Sequence, residues 1–204
     1  MDVMEARRRI LIAADPDLPP GYKRVEYLQS SGTQYMSSGV IPADDLDITI
    51  DLSVTGPALT ANRNYVIGMS GGSFRIAFSF STASYYGWGN GGQSNEPLSI
   101  DTERHIITMD RTAFKVDGVT VFVPYSHEFL TTTFNPYLFA RNATGSAADI
   151  TNGVRVYRVT IKKSGTVVRN FIPCVRGSDS KPGLYDTVSK TLFTNLGTGE
   201  FITP

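Results

Sequence analysis

The chain has 204 residues, a length that suits one large β domain better than two very small ones. Its 19 basic and 19 acidic residues leave no net charge, which argues against broad electrostatic binding to nucleic acid or to an anionic membrane surface. No apolar run approaches the length of a transmembrane helix. The single cysteine, Cys174, excludes an intrachain disulfide, and because it follows an apolar run we expect a small buried hydrophobe.

Residues 1–17 are predicted to form a short basic arm and a linker. Apolar residues recur at helical spacing over residues 1–14, and Glu5 precedes Arg9 by four positions, so this stretch is predicted to be helical. Its apolar part is too short for the core of a signal peptide and Asp15 follows at once, so we expect it to belong to the mature protein. A proline-rich linker then excludes a continued helix.

Beyond the linker, apolar residues alternate with polar ones, which is the period of a half-buried β-strand. The clearest case is Leu46–Val54, where every second residue is apolar. Further strands are predicted at Phe74–Phe80, His105–Met109, Tyr137–Ala140, Val154–Ile161 and Thr166–Ile172.

Two short turns connect predicted strands. Asp117-Gly118 separates the apolar alternation of residues 114–116 from that of residues 119–123, and Ser164-Gly165 separates the last two long strands. An Asp-Gly pair between alternating runs is a strong hairpin signal, because a tight turn needs positive φ at its central residues. Many strands about ten residues apart, with almost no helix between them, predict an antiparallel sandwich or barrel.

Three motifs resemble a family of domains in phage and prophage proteins of gut bacteria. The first is the stretch Leu18–Tyr35, and the second is Leu138–Asn142 in the middle of the chain. The closing motif comprises Phe171–Arg176, Gly183–Asp186, Phe193–Asn195 and Gly197–Gly199. The resemblance covers about residues 18–201, and its two end motifs are long and specific.

The resemblance implies a concanavalin A-like, laminin-G-like jelly roll over residues 18–204: an all-β, two-sheet antiparallel sandwich preceded by the helical arm. It also implies a virion structural protein, such as a tail, fibre or head-decoration component, with a candidate sugar-binding face. A fold alone names no ligand. In physical terms, Gly183, Gly197 and Gly199 are expected to serve turns with unusual backbone angles, and Leu184, Tyr185 and Phe193 to close an edge of the sandwich.

The segment Gly87–Gly92 matches the spacing G-x-G-x-x-G of dinucleotide-binding loops. Such a loop must lead into a helix whose N-terminus faces the pyrophosphate, and here a turn-rich segment follows. We therefore predict a loop. The same region is the best candidate for glycan binding, because aromatic faces and amides together suit sugars. Its candidate residues are Tyr85, Tyr86, Trp88, Asn90, Gln93 and Asn95; the alternative is that two of these aromatics lie in the core.

Catalytic and metal-binding patterns are weaker. Jelly-roll glucanases need two carboxylates in close register, and Asp47 and Asp51 share a strand face without a glutamate partner, so neither a hydrolase nor any other enzyme is predicted. An acidic cluster at Asp44–Asp47 lacks the glycine and distal glutamate of a calcium loop, and His105 and His127 lack zinc spacing. No catalytic residue, metal or cofactor is expected.

Three hypotheses about function follow, and the first is a virion structural protein that displays a lectin-like domain for attachment to host-surface polysaccharide. The arm would bind other virion proteins, with apolar anchors beside a basic cluster. The alternatives are a stand-alone carbohydrate-binding module, which has no need of such an arm, and a glycoside hydrolase. Self-association is a further candidate property, although the sequence contains no heptads. The candidate attachment residues are Arg7, Arg8, Arg9, Ile10, Leu11 and Ile12.

Overall fold

The computed structural model of the chain describes residues 17–56, 58, 64–70, 74–78, 84–88, 92–96, 100–123 and 132–204. These residues run mostly in β-strands, and Gly56 and Ala58 are helical. The strands are β1 (Tyr22–Arg24), β2 (Leu28–Ser31), β3 (Met36–Ser37), β4 (Leu46–Val54), β5 (Asn64–Met69), β6 (Phe74–Phe78), β7 (Ser84–Trp88), β8 (Gly92–Glu96), β9 (His105–Asp110), β10 (Phe114–Val116), β11 (Val119–Phe122), β12 (Tyr137–Leu138), β13 (Arg141–Ala143), β14 (Ser146–Ala148), β15 (Asn152–Lys163), β16 (Thr166–Arg176), β17 (Lys181–Asp186) and β18 (Thr191–Thr194).

The strands form two sheets. One sheet has ten strands in the order β11-β10-β9-β4-β15-β16-β17-β18, with β1 paired to β16 and β2 to β15. The other has eight strands in the order β14-β13-β5-β6-β7-β8, with β12 paired to β3 and β5. Among the strands that the structure describes, the pairs are antiparallel except for β13 with β5. The prediction of an all-β architecture with two mostly antiparallel sheets is therefore confirmed, while the jelly-roll connectivity stays a prediction.

The inner faces of the two sheets share one apolar core. The alternating residues of β4 are buried as predicted, with Ile48, Ile50 and Leu52 fully covered. Their core neighbours include Val159 and Ile161 from β15 in the same sheet. From the eight-stranded sheet come residues of β5 and β6: Val66, Ile67, Met69, Phe74 and Ile76. One continuous apolar layer between two sheets is the arrangement of a sandwich.

Strand β9 shows which of its alternating residues belongs to the core. Ile107 and Met109 are buried, whereas Ile106 is half exposed on the outer face of the ten-stranded sheet, the face away from the core. Ile106 is paired with Asp51, and Ile107 with Ile50. Directly paired residues share a face of the sheet, so the hydrophobic residues of β4 fix the orientation of β9.

Both predicted tight turns adopt the backbone that their sequences require. Asp117 and Gly118 have φ angles of 50° and 80°, and Ser164 and Gly165 have φ angles of 49° and 77°. Positive φ at both central residues is the conformation of a type I′ hairpin turn, which matches the twist of the flanking strands. The two turns set the pairing of β10 with β11 and of β15 with β16.

A second, smaller apolar cluster lies outside the main core. Leu18 packs there with Ile172, Cys174 and Tyr185, and Tyr22 covers the group from the side. The rings of Tyr22 and Tyr185 lie 5.0 Å apart between centroids. The chain that follows the linker thus covers part of β16 and β17.

The predicted arm helix at residues 1–14 lies outside the described residues, and the domain boundary between residues 17 and 18 stays a prediction. In the part of the chain that the structure describes, no helix has the length and apolar character to cross a membrane.

Candidate functional site

The predicted glycan-binding region forms a hairpin at the edge of the eight-stranded sheet. Strands β7 and β8 pair antiparallel, with Tyr85 opposite Asn95, Gly87 opposite Gln93 and Trp88 opposite Gly92. Strand β8 is the last strand of this sheet in the described chain. The glycine-rich segment therefore leads from one strand into another and not into a helix, which removes the basis for a dinucleotide site.

The register of β6 separates the candidate positions between the two faces of the hairpin. Position 86 is paired with Ile76, which is buried in the core, and position 85 is paired with Ala77. Since residues alternate between faces along a strand, positions 86 and 88 fall on the core side, and positions 85, 93 and 95 fall on the outer side. The remaining candidate, Asn90, lies outside the described residues, as do the arm residues Arg7–Ile12.

A second candidate surface lies on the outer face of the ten-stranded sheet, and it was not predicted from the sequence. Three neighbouring strands form a shallow hollow of about 130 Å³ there. It is lined by Thr49 and Asp51 from β4, Ile106 from β9, and Arg158 and Thr160 from β15. We call the space lined by these five residues the hollow.

Two arginines lie at the hollow, and only one of them, Arg104, is hydrogen-bonded to a carboxylate among the described residues. Arg104 donates two hydrogen bonds to Asp51, from Nε to Oδ1 at 2.7 Å and from Nη2 to Oδ2 at 2.6 Å. The hydrogen bond to Asp51 raises the pKa of Arg104, so the guanidinium of Arg104 stays charged. The guanidinium carbon of Arg104 also lies 4.0 Å from the centre of the Tyr157 ring. Arg158 instead donates from Nε to the amide oxygen of Asn170 at 2.9 Å, a neutral partner.

His105 lies between two carboxylates at the start of β9. Its Nδ1 is 2.7 Å from Asp117 Oδ2, and its Nε2 is 2.9 Å from Asp101 Oδ1. Partial burial lowers the pKa of His105, but the hydrogen bonds to Asp117 and Asp101 outweigh it, and the net pKa lies above its ordinary value. Because an imidazole donates from both nitrogens only when protonated, this geometry favours the imidazolium. The two carboxylates lie at opposite edges of the ring.

Each aspartate of the Asp44–Asp47 cluster, where the sequence does not predict a calcium site, has a protein group nearby. Asp45 accepts a hydrogen bond from Ser164 Oγ at 2.6 Å, and Asp47 lies 3.7 Å from Lys162 Nζ. Asp44 lies 3.8 Å from Arg111. Within the described ranges, no group of three or more histidine, cysteine, aspartate or glutamate side chains has a geometry that could hold a metal ion.

Asp47 is paired with Asp110 across the sheet, which brings two carboxylates onto neighbouring strands. Burial raises the pKa of Asp110, but hydrogen bonds from the hydroxyl and amide of Thr112 and the amide of Ala113 outweigh it, so that the net pKa is lowered. A general acid of a glycosidase needs the opposite shift.

Cys174 is fully buried in the smaller apolar cluster. Burial raises the pKa of its thiol to about 11, so the thiolate that a nucleophile requires is scarce near neutral pH. The expectation of a small buried hydrophobe is confirmed.

The opening and closing motifs of the resemblance meet at one place, which we call the motif junction. In the first motif Thr33 accepts a backbone hydrogen bond from Thr198 of the closing motif at 3.2 Å. Tyr35 accepts one from Leu196, which lies between two parts of the closing motif, at 2.9 Å. Phe139 of the middle motif packs against Phe201, two residues beyond the closing motif, with 4.9 Å between the centroids of the tilted rings. The opening and closing motifs therefore hold the two ends of the described chain together.

Side chains reinforce the motif junction. The amide oxygen of Asn195 accepts from the backbone nitrogens of Tyr35 (3.1 Å) and Gly197 (2.8 Å). Gln34, which is almost fully buried, donates from Nε2 to the carbonyl oxygen of Thr198 at 3.1 Å. Thr33 Oγ1 donates to the same oxygen at 2.9 Å.

The expectation for the closing glycines is correct for Gly199, whose φ is 68°, but wrong for Gly183 and Gly197. Neither of these two has a positive φ. A Cβ at Gly197 would overlap the carbonyl oxygen of Thr33, and one at Gly183 would overlap that of Phe193. The two glycines thus permit close approach of neighbouring chain segments rather than unusual angles.

No protein-family model matches the chain, and no curated protein matches it. The family resemblance therefore stays a prediction that rests on the motifs.

Proposed function

We propose that the chain is a non-enzymatic structural protein of a phage virion, and that it displays a lectin-like domain of the jelly-roll class for attachment to host-surface polysaccharide. In this proposal residues 1–17 form the basic arm, helical over residues 1–14, and the linker that attach the domain to other virion proteins. Residues 18–204 form the displayed domain.

The observation that carries the proposal is the motif junction. Motifs that match a family by chance have no reason to contact each other, yet the opening and closing motifs lie together through backbone and side-chain hydrogen bonds. Since the residues that carry the resemblance determine how the sandwich closes, the junction supports a shared fold. The virion role follows from the family that the motifs resemble, and a fold by itself would not supply it.

The absence of a catalytic arrangement in the described residues supports a binding role over a hydrolase. Asp47 and Asp51 lie four residues apart along β4, or about 13 Å, which exceeds the roughly 5–9.5 Å that separates the carboxyl groups of retaining and inverting glycosidases. Each also has a basic partner, Lys162 for Asp47 and Arg104 for Asp51. In the closer pair, Asp47 and Asp110, hydrogen bonds from Thr112 and Ala113 lower the pKa of Asp110, which is the opposite of the shift that a general acid needs.

The β7–β8 hairpin supplies the proposed contact with polysaccharide. Its outer positions, 85, 93 and 95, combine one aromatic residue with two amides on an edge of the eight-stranded sheet. An aromatic face that covers the C–H surface of a sugar, with amides for its hydroxyl groups, is a common way to bind saccharides.

The virion role is tested on particles purified by density gradient from the bacterium that carries the gene. An antibody raised against residues 18–204 should label intact particles in immunogold electron microscopy, and the protein should sediment with them. A protein that stays in the soluble fraction, with unlabelled particles, would contradict the virion role.

The attachment role is tested by pull-down of the purified protein with intact host cells. Tyr85→Ala and Asn95→Ala should each reduce binding at least several-fold, with circular dichroism showing an intact fold. Thr120→Ala, on an edge strand of the other sheet, is the matched control and should bind as the wild type. Trp88→Ala tests a position on the core side of the hairpin. It should lower the stability of the fold, and any folded protein that remains should still bind the cells. Equal binding by all variants would exclude the hairpin as the site.

A further inference from the structure

We propose that the hollow on the outer face of the ten-stranded sheet binds a carboxylate-bearing sugar unit, such as a uronic acid residue of a surface polysaccharide. The inference rests on the proposed attachment function, but it places a contact on a face that is distinct from the β7–β8 hairpin.

The hollow is built on rigid elements. Asp51 is paired directly with Ile106 on one side and with Arg158 on the other, and Thr49 is paired with Thr160. The backbone of three central strands therefore fixes the spacing of its walls. A site held by strands keeps its geometry more closely than one held by loops. The volume of about 130 Å³ holds about four water molecules, which suits contact with one sugar ring.

A β-bulge directs Arg158 into this surface. The pairing of β15 with β4 shifts register between Val156 and Arg158, so that Tyr157 and Arg158 are both at least partly exposed instead of alternating between faces. The hydroxyl oxygen of Tyr157 lies 3.0 Å from Ser53 Oγ, so Tyr157 forms a hydrogen bond within the sheet. Bulges often re-aim a side chain next to a binding site. The extra residue thus places Arg158 beside the hollow.

The remaining wall residues suit a sugar ring. The hydroxyl groups of Thr49 and Thr160 can both donate and accept, and Asp51 offers carboxylate oxygens to a sugar hydroxyl. Ile106 is 50% exposed and provides an apolar surface for the C–H face of the ring. A few polar groups around a small apolar surface are typical of ligand sites.

The charge of the site selects an acidic sugar over a neutral one. The negative charge of Asp51 is matched by Arg104, and that of Asp47, further along β4, by Lys162. Arg158 donates from Nε to Asn170, and within the described part of the chain its guanidinium forms no ion pair with a carboxylate. We infer that a carboxylate of the ligand binds the terminal nitrogens of Arg158. The planar guanidinium binds a carboxylate through two parallel hydrogen bonds.

The test is a nuclear magnetic resonance titration of the full chain with trigalacturonate, and with maltotriose as the neutral comparison. Trigalacturonate should shift the resonances of Ile106, Thr49 and Thr160 in a saturable way, and maltotriose should bind at least about tenfold more weakly. Arg158→Gln should reduce the affinity for trigalacturonate about tenfold or more. Lys23→Gln, which removes the same charge from β1, is the matched control and should bind as the wild type.

A lack of saturable shifts at these residues, or shifts that Arg158→Gln leaves unchanged, would overturn the inference. Shifts confined to β7 and β8 would also overturn it, while leaving the proposed attachment function intact. Conversely, saturable binding in the hollow by a protein that fails to bind host cells would support the inference and contradict the attachment function.

Discussion

Replacement of Gly197 by alanine should break the motif junction. A Cβ at this position would overlap the carbonyl oxygen of Thr33, far inside the 3.4 Å at which ordinary contact begins. The oxygen belongs to the backbone, so relief requires the two chain segments to separate by more than an ångström. The hydrogen bonds from Leu196 N to Tyr35 O and from Thr198 N to Thr33 O, at 2.9 and 3.2 Å, would not survive this movement.

The expected cost of Gly197→Ala follows from the bonds that are lost. Four hydrogen bonds would be lost: the two backbone bonds and the bonds made by the side chains of Asn195 and Thr33. Each contributes about 1 kcal/mol to the free energy of unfolding, and because the site is partly exposed, water can replace some of them. The free energy of unfolding should fall by about 3 kcal/mol. Urea denaturation followed by circular dichroism measures this change as a lower midpoint. Gly56→Ala is the control: no atom lies within 4 Å of its added Cβ, and it should stay within about 1 kcal/mol of the wild type. A loss below about 0.5 kcal/mol for Gly197→Ala would refute the account of the junction.

Four further predictions concern titratable groups. Cys174, buried with a raised pKa, should react with a thiol reagent at pH 8 only after unfolding, and stoichiometric labelling of the folded protein would contradict its burial. His105 has a raised pKa in the folded protein, so its contribution to stability should be complete below about pH 6.5, the unfolded value, and should be lost as the pH rises through the folded value. Asp117 has a lowered pKa, chiefly through its hydrogen bond to His105, so its contribution should be lost as the pH falls below about 4. Asp186 is fully buried and accepts backbone hydrogen bonds, so Asp186→Ala should cost about 3 kcal/mol of unfolding free energy.

The histidine prediction has a direct control. The variant His105→Gln keeps a hydrogen-bonding side chain but cannot acquire a proton, and it should flatten the dependence of stability on pH near neutrality. An unchanged pH profile in this variant would show that the interaction with Asp101 and Asp117 does not stabilise the fold. For Asp186→Ala, a loss similar to that of the exposed Asp179→Ala would contradict its assigned role.

Local patterns in the sequence predicted much of the fold, because the physics behind them is local. Alternation between apolar and polar residues located β4 with its observed ends, and Asp117-Gly118 located a hairpin whose φ angles are both positive. The alternation of β4 also implied which face would be buried. These features depend on neighbours in the chain, and the sequence shows those neighbours directly.

The candidate sites depend on register between distant segments, which the sequence does not show. In the hollow Asp51 lies beside Arg158, which follows it by more than a hundred residues in the chain. The two residues are neighbours because they are paired directly between β4 and β15. The bulge at Tyr157 interrupts the alternation that would have placed Arg158 on one face. The role of Gly197 likewise depends on the approach of Thr33, which composition and spacing cannot reveal.

Competition for adsorption tests the central claim, attachment through the displayed domain, most directly. Host cells are incubated with the purified protein, particles are added, and the rate at which free particles disappear is measured. If the displayed domain attaches the virion to the cell surface, saturating protein should slow adsorption several-fold, and the Tyr85→Ala variant should slow it less. Adsorption at the same rate with and without saturating protein would contradict the claim.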